Sequence, residues 1–455
     1  MKQKKLFKYY LMAIITSFTG CSNFVEVELP PNQIGKINAF NNEATATSVV
    51  SGIYSNLSNI SHTLNADMHI AVALNADELS YSQSSQSYLE FLNSNIQTNN
   101  TLVGSFWSMA YSSIYNTNMA IEGLLSSSNL SESVRNQLLG EAKFIRAFCY
   151  FYLVNLFGDV PLILETDYQA NQRLGRTEIA SVYEQIERDL TEAETLLTED
   201  YPVLDKVRPN RLAAAALLSR VYLYREKWQL AEEKASQIIN SGLYSLPELS
   251  TVFLKASEET IWQLIPVFPG YNTNIGRILI PTSSSRIPNY FLIEDFLQSF
   301  SNADKRQHEW ISSLTIADRV YHSPHKYKVQ IGTELSEYLV VFRLAEQHLI
   351  RAEALARQND IANALQDLNM IRKRAGLEEV VINSIEETID EIRTQRRHEL
   401  FMEWGHRWFD LKRLSLASTV LQTIKGVNWQ STDVYWPVPL QELDTNPFLI
   451  QNEGY

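Results

Sequence analysis

From about residue 43 onward, apolar positions along the chain fall mostly at helical spacing. In "FWSMAYSSIYNTNMAIEGLL", Trp107, Tyr111, Ile114, Asn118 and Ile121 are spaced by four, three, four and three residues, one stripe along a helix. The next segment, "EAKFIRAFCYFYLVNLFGDVPL", carries Ala142, Ile145, Cys149, Tyr152 and Leu156 in register and stops at Gly158, with Pro161 beyond. Glycine past the last turn and proline after it are helix stop signals, so an antiparallel pair is predicted.

A second pair follows: "VYEQIERDLTEAETLL" over 182–197, with Thr177 as N-cap, then "RPNRLAAAALLSRVYLYREKWQLAEEKASQII". One unbroken helix through the latter would turn its alanines through every face, which predicts a break near Trp228. The segment "LIRAEALARQNDIANALQDLNMIR" aligns with it, placing Arg351 under Arg220, Ile361 under Leu230 and Ala362 under Ala231. Both read as helix, short turn, helix, with small residues where the helices approach. This resembles the tetratricopeptide repeat, of period about 34 residues, and predicts a mainly α fold: a tetratricopeptide-like α/α superhelix with long irregular loop insertions and a few short strands.

Two stretches break the pattern. Residues 78–101, "ELSYSQSSQSYLEFLNSNIQTNNT", are rich in Ser, Gln and Asn with no sustained period, and residues 266–340 mix "PGYNTNIG", "PTSSSRIP" and "YHSPHKY". Loops this long in a compact protein are functional or disordered, and their tyrosines argue against disorder. Just before the second, "TIWQLIPVF" alternates like a strand, which suits Trp262 to core packing.

Composition narrows the class. The chain has 455 residues and a formal charge of −13, and outside the extreme N-terminus its longest Lys/Arg run is the three residues 372–374. Phosphate neutralisation needs a basic face, so nucleic acid is not an expected partner. The first residues differ: Lys2, Lys4, Lys5 and Lys8 precede an apolar run from Tyr9 to Phe18, then Gly20 and Cys21. The run is too short to span a bilayer and reads as an export signal, with "SFTGC" resembling a bacterial lipobox and Phe18 departing from its usual aliphatic residue. Lipidation of Cys21 would take the formal charge to −17 (−13 less the four lysines); ordinary cleavage for soluble export is the alternative. A membrane is therefore expected as a partner only through the lipid anchor, and "SNFVEVELPPN" suits an extended tether. Cys149 lies among apolar neighbours and has no intramolecular partner if Cys21 carries lipid.

The segment "RRHELFMEWGHRWFDLKR", residues 396–413, concentrates charge between aromatics. On one helix, Arg396, Glu399, Glu403, Arg407 and Asp410 form a narrow stripe with i,i+3 and i,i+4 pairs, enclosed by Leu400, Phe401, Trp404, Trp408 and Leu411 on one side and Met402 and Phe409 on the other. Such an enclosed stripe is expected as a part-buried structural ion-pair ladder, since structural networks imitate functional ones.

The same segment resembles the C-terminal signature of the SusD/RagB family of Bacteroidetes outer-membrane lipoproteins. "EAKFIRAFCYFYLVNLFGDVPL", "RPNRLAAAALLSRVYLY", "FRLAEQHLIRAEALA" (342–356), "ALQDLNMIRKRAGL" (364–377) and "YWPVPLQELDTNPFLIQNEGY" agree with it in order. The resemblance implies a cell outer membrane lipoprotein facing the exterior, not an enzyme, with a tetratricopeptide-like core. It implies pairing with a SusC-like TonB-dependent transporter and capture of glycans, or of peptides in some members. The implied organisation is a signal peptide (1–20), a lipidated tether (21–42), an N-terminal helical-repeat region (43–255), and a C-terminal region with a ligand-loop insertion and closing helices (256–455). This chain is somewhat short for the family.

Catalytic signatures are missing: no two glycines stand as G-x-G, and G-x-x-x-x-G-K, G-x-S-x-G and H-E-x-x-H are absent. His322–His325 and His398–His406 have no third ligand at metal spacing, so no metal or other cofactor is expected. Sugars present an apolar face and a hydroxyl rim, matched by flat aromatics beside amides and charged groups. Asp77, Tyr81, Gln83, Tyr88 and Asn93 supply that mixture in one insertion; Tyr271, Asn272, Arg277, Tyr290 and Tyr321 supply it in the other. These tyrosines could equally seal the insertions onto the helices. Three functions stay open: an oligosaccharide receptor, a peptide receptor, and a helical-repeat adaptor for another protein. Replacing Tyr81 and Tyr88 by Ala is expected to abolish glycan retention without loss of thermal stability.

Overall fold

The computed structural model describes residues 39–455. The export segment and Cys21 lie outside those residues. The fold is mainly α with short strands. Helices of eight or more residues are α1 (Glu43–Leu57), α2 (Asp67–Asn75), α3 (Thr101–Ser126), α4 (Glu132–Phe157), α5 (Ile179–Leu196), α6 (Arg211–Tyr224), α7 (Trp228–Ile239), α8 (Leu344–Arg357), α9 (Ile361–Arg374), α10 (Ile385–Leu400), α11 (His406–Arg413) and α12 (Ala417–Lys425). Strands are β1 (Leu79–Tyr81), β2 (Thr260–Leu264), β3 (Tyr290–Leu292), β4 (Ile311–Ile316), β5 (Arg319–Pro324) and β6 (Leu339–Arg343), paired antiparallel as β1–β3, β2–β6 and β4–β5.

Local signals explain most boundaries. Asn100 caps α3, its Oδ1 accepting from Leu102 N at 2.9 Å and Val103 N at 3.3 Å. α4 ends where Gly158 takes φ +75°, a conformation glycine adopts without steric cost. The long second segment breaks before Trp228, as its pattern predicts, giving α6 and α7. Thr177 does not cap α5; Glu178 stands there, and Thr177 instead exchanges backbone hydrogen bonds with Val160.

Successive helices pack in pairs, α3 on α4, α6 on α7 and α8 on α9. Buried, bidentate ion pairs fix neighbours that are distant in sequence. Arg146 of α4 grips Asp189 of α5 at 2.8 and 2.6 Å, and Arg220 of α6 grips Glu346 of α8 at 2.6 and 2.7 Å. Trp262 of β2 is fully buried against Phe144 and Phe148, with ring centroids at 4.8 and 5.2 Å. A second apolar cluster, including Leu349, Leu368, Ile371 and Ile392, joins α8, α9 and α10.

One sequence expectation is overturned. The helix through residues 396–413 is interrupted: α10 stops at Leu400, and Met402, Trp404 and Gly405 take φ of 59°, 46° and 73° before α11 starts. Non-glycine residues in that region are costly and persist only where packing over-determines them. Here Trp404 is buried, and its Nε1 donates to Val340 O at 2.7 Å. The i,i+3 and i,i+4 ladder therefore does not form. Arg396 reaches Asp410 at 2.8 and 3.1 Å, Arg407 reaches Asp77 at 2.6 and 2.7 Å, and Glu403 pairs with Arg343 and Lys326. Glu399 receives Arg306, Arg343 and Arg374. The five residues are buried or nearly so and paired, but each bonds to a partner outside the predicted stripe or across the break.

Candidate functional site

The two irregular insertions meet through β1 and β3. Their register places Tyr81 opposite Tyr290 and Ser80 opposite Phe291, and the Tyr81 and Tyr290 rings stack at 5.1 Å with 27° between planes. The short helix Gln86–Leu92 then brings Tyr88 to 5.5 Å from Tyr81 and 5.6 Å from Tyr290. Strand pairing thus brings Tyr290 to Tyr81 and Tyr88, more than two hundred residues earlier in sequence. Tyr81 and Tyr88 keep part of their surface in solvent, while Tyr290 is the buried base of the cluster.

Polar groups flank the rings. Tyr88 Oη donates to Asp67 Oδ1 at 2.8 Å. Burial pushes the Asp67 carboxyl above its ordinary value, opposed by the Tyr88 hydrogen bond and by the charge of Arg277. Arg277 Nε donates to Asn274 Oδ1 at 2.7 Å, and its guanidinium lies 5.9 Å from the Tyr271 centroid. Tyr271 in turn packs 5.5 Å from Phe268, which is 47% exposed. A small cleft is lined by Phe268, Tyr271, Asn274, Arg277 and Asn65. Aromatic faces, an arginine and amides so placed can hold the apolar face and hydroxyl rim of a sugar.

The predicted residues divide between this constellation and structural duty. Tyr81, Tyr88, Tyr271, Arg277 and Tyr290 belong to it. Gln83 is exposed at its edge and donates to Ser82 Oγ at 3.0 Å; Asn93 is exposed at the C-terminal end of the short helix. Tyr321 is 7% exposed and packs against Phe291 at 5.2 Å. Asp77 and Asn272 are corrections. Asp77 is buried with both oxygens bound by Arg397 and Arg407, which hold its carboxyl below the usual range against the cost of burial. Asn272 is spent on the chain itself: Oδ1 accepts from Ser336 N and Glu337 N at 2.8 and 2.9 Å, and Nδ2 donates to Glu334 O at 3.0 Å.

Sequence reasoning missed Phe268 and Asp67. Phe268 had a signal, a large apolar residue immediately before Pro269–Gly270. Asp67 had none, since it opens a helix where an acidic residue is commonplace. Among the described residues no cluster of His, Cys, Asp and Glu could hold a metal ion, and no helix is long and apolar enough to cross a membrane.

Two family models match the chain: "Starch-binding associating with outer membrane" over residues 24–223 and "SusD family" over residues 319–455. A SusD-like protein of Formosa agariphila is 26% identical, with 98% of each chain covered. Among solved structures, a SusD superfamily protein from Bacteroides vulgatus superposes with a TM-score of 0.83 at 22% identity, covering 91% of this chain and 99% of that one. A surface glycan-binding protein A from Bacteroides uniformis superposes at 0.78 and 21% identity, covering 90% and 99%.

Proposed function

The chain belongs to the SusD/RagB family of outer-membrane-associated, non-catalytic binding proteins, and from that premise we propose that it captures nutrient oligosaccharides and delivers them to a SusC-like TonB-dependent transporter. The observation that carries the proposal is the joining of both irregular insertions in the ring cluster Tyr81, Tyr88 and Tyr290, linked through Asp67, which binds Tyr88 and feels the charge of Arg277, to the cleft of Phe268 and Tyr271. The paired helices support reading the scaffold as a tetratricopeptide-like superhelix, with the helical-repeat half at 43–255 and the ligand-loop half at 256–455. The name of the Bacteroides uniformis neighbour, a surface glycan-binding protein, supports a glycan over a peptide. Anchoring through lipid on Cys21, facing outward, is part of the same proposal.

Affinity electrophoresis of the soluble chain against a panel of polysaccharides tests the ligand class. Retardation by at least one neutral glycan, lost in Tyr81→Ala, is expected. No retardation by any glycan, with binding of protein digests, would favour the peptide receptor; neither, with capture of another protein alone, would favour the adaptor. Labelled palmitate entering the wild type but not Cys21→Ala tests the anchor.

A further inference from the structure

Away from the aromatic constellation, a cavity of about 400 Å³ opens where α4, α5, α6 and α11 meet the segment around Tyr435, within the size range of small-molecule sites. Its wall includes Asn155, Tyr224, Lys412, Arg413, Ser415 and Tyr435, and no carboxylate; Arg413 is committed to Glu353 and Asp410 behind the wall.

Lys412 has only neutral partners among the described residues. Its Nζ donates to Asn155 O and lies 4.2 Å from the Tyr435 centroid and 5.9 Å from that of Trp408. The surrounding carboxylates are engaged elsewhere: Asp410 by Arg396 and Arg413, Glu353 by Arg413, Glu187 by Arg225 and Lys227. Asp159 and Asp433 accept from the backbone N–H groups of Ile179 and Gln430. With nothing anionic beside it, burial pushes the Lys412 ammonium down to about 7.

Ser415, exposed in the same wall, closes the helix that carries Lys412: Leu416 N donates to Leu411 O at 2.8 Å and Ser415 N to Lys412 O at 3.0 Å, which sets the Ser415 side chain beside the cavity that the ammonium lines.

We propose that this cavity is a separate ligand site for a small monocarboxylate of sugar-acid size, held by the Lys412 ammonium and the Ser415 hydroxyl. A single unpaired ammonium complements a single negative charge; a dianion such as sulfate would leave an excess charge half-buried. The site does not rest on the glycan reading.

Isothermal titration calorimetry of the full soluble chain at about pH 6, with glucuronate, glucose and sulfate as probes, tests it. Glucuronate is expected to bind at least about tenfold more tightly than glucose or sulfate, as a charge-assisted hydrogen bond provides. Lys412→Met is expected to lose that binding, and Ser415→Ala, which removes one oxygen, to weaken it several-fold with an unchanged circular-dichroism melt. Glucuronate binding no better than glucose, sulfate binding as well as glucuronate, or a Lys412→Met variant that binds like wild type would each overturn the proposal. Retention on a neutral polysaccharide gel is expected to survive both substitutions, so loss of the one site is read apart from loss of the other.

Discussion

Arg343 and Glu403 lie 60 residues apart in sequence and meet in the core through two parallel N–H···O bonds of 2.8 Å each. Arg343 also donates to Glu259 and Glu399 at 2.7 Å, and Glu403 accepts from Lys326 at 2.5 Å. This cluster ties β6 to the turn between α10 and α11, and every member is nearly sealed from water. A buried pair stabilises little against an apolar replacement, yet removing one partner strands the other. Glu403→Gln keeps the shape and removes the charge facing both Arg343 and Lys326. Its stability by urea unfolding is expected to fall by about 3–5 kcal/mol, and a change within about 0.5 kcal/mol would show that the cluster is not what holds this turn.

Acid is expected to destabilise the protein in two stages. Burial holds His62 and His69 down to about 4 and His398 to about 2, and His406 well below its ordinary value. Below the unfolded histidine value of about 6.5 the unfolded chain binds these protons and the folded chain does not, so stability declines as pH drops. Glu78, raised to about 8 by burial and by Asp77, has the opposite sign and offsets one proton. In the second stage, near the ordinary carboxylate range and below, Asp410, held at about 2 by Arg396 and Arg413, adds its own loss, as do the depressed Asp77 and Glu403. Urea midpoints followed by circular dichroism are expected to fall from about pH 6.5 to about pH 5 and more steeply below about pH 4. A midpoint constant across the first interval would contradict the burial of neutral histidines.

The helical pairs were legible because their information is local: spacing, the Gly158 stop and the break before Trp228 are all read within one segment. The interrupted helix was not. Residues 396–413 keep helical periodicity throughout, and only Gly405 hints at a turn. What stops α10 is tertiary, namely Trp404 buried with its Nε1 on Val340 O and Gly405 crowded so that a Cβ would meet Phe409 at 3.0 Å and Val72 at 3.1 Å. The same division holds at the candidate site. Residue types in the insertions marked Tyr81, Tyr88 and Tyr290, but their stacking depends on the β1–β3 register, a pairing between strands of three residues that no local pattern encodes. Asp77 looked like a ligand contact for the same reason; its arginine partners lie 320 and 330 residues away.

Tyr81 and Tyr88 are not equivalent, although both entered as ring platforms. The Tyr88 hydroxyl is bound to Asp67, a half-enclosed carboxylate that loses this donor when the oxygen is removed. Tyr88→Phe keeps the ring beside Tyr81 and Tyr290, so glycan retention is expected to persist while stability falls by about 1–2 kcal/mol. Tyr88→Ala is expected to lose both, a different outcome from the one residue type alone suggests, in which neither truncation touches stability. Affinity electrophoresis and urea unfolding on the two Tyr88 variants separate the roles of ring and hydroxyl. A Tyr88→Phe protein that melts like wild type would show that the bond to Asp67 contributes nothing. One that no longer slows in the glycan gel would show that the hydroxyl, not the aromatic face, makes the contact with sugar.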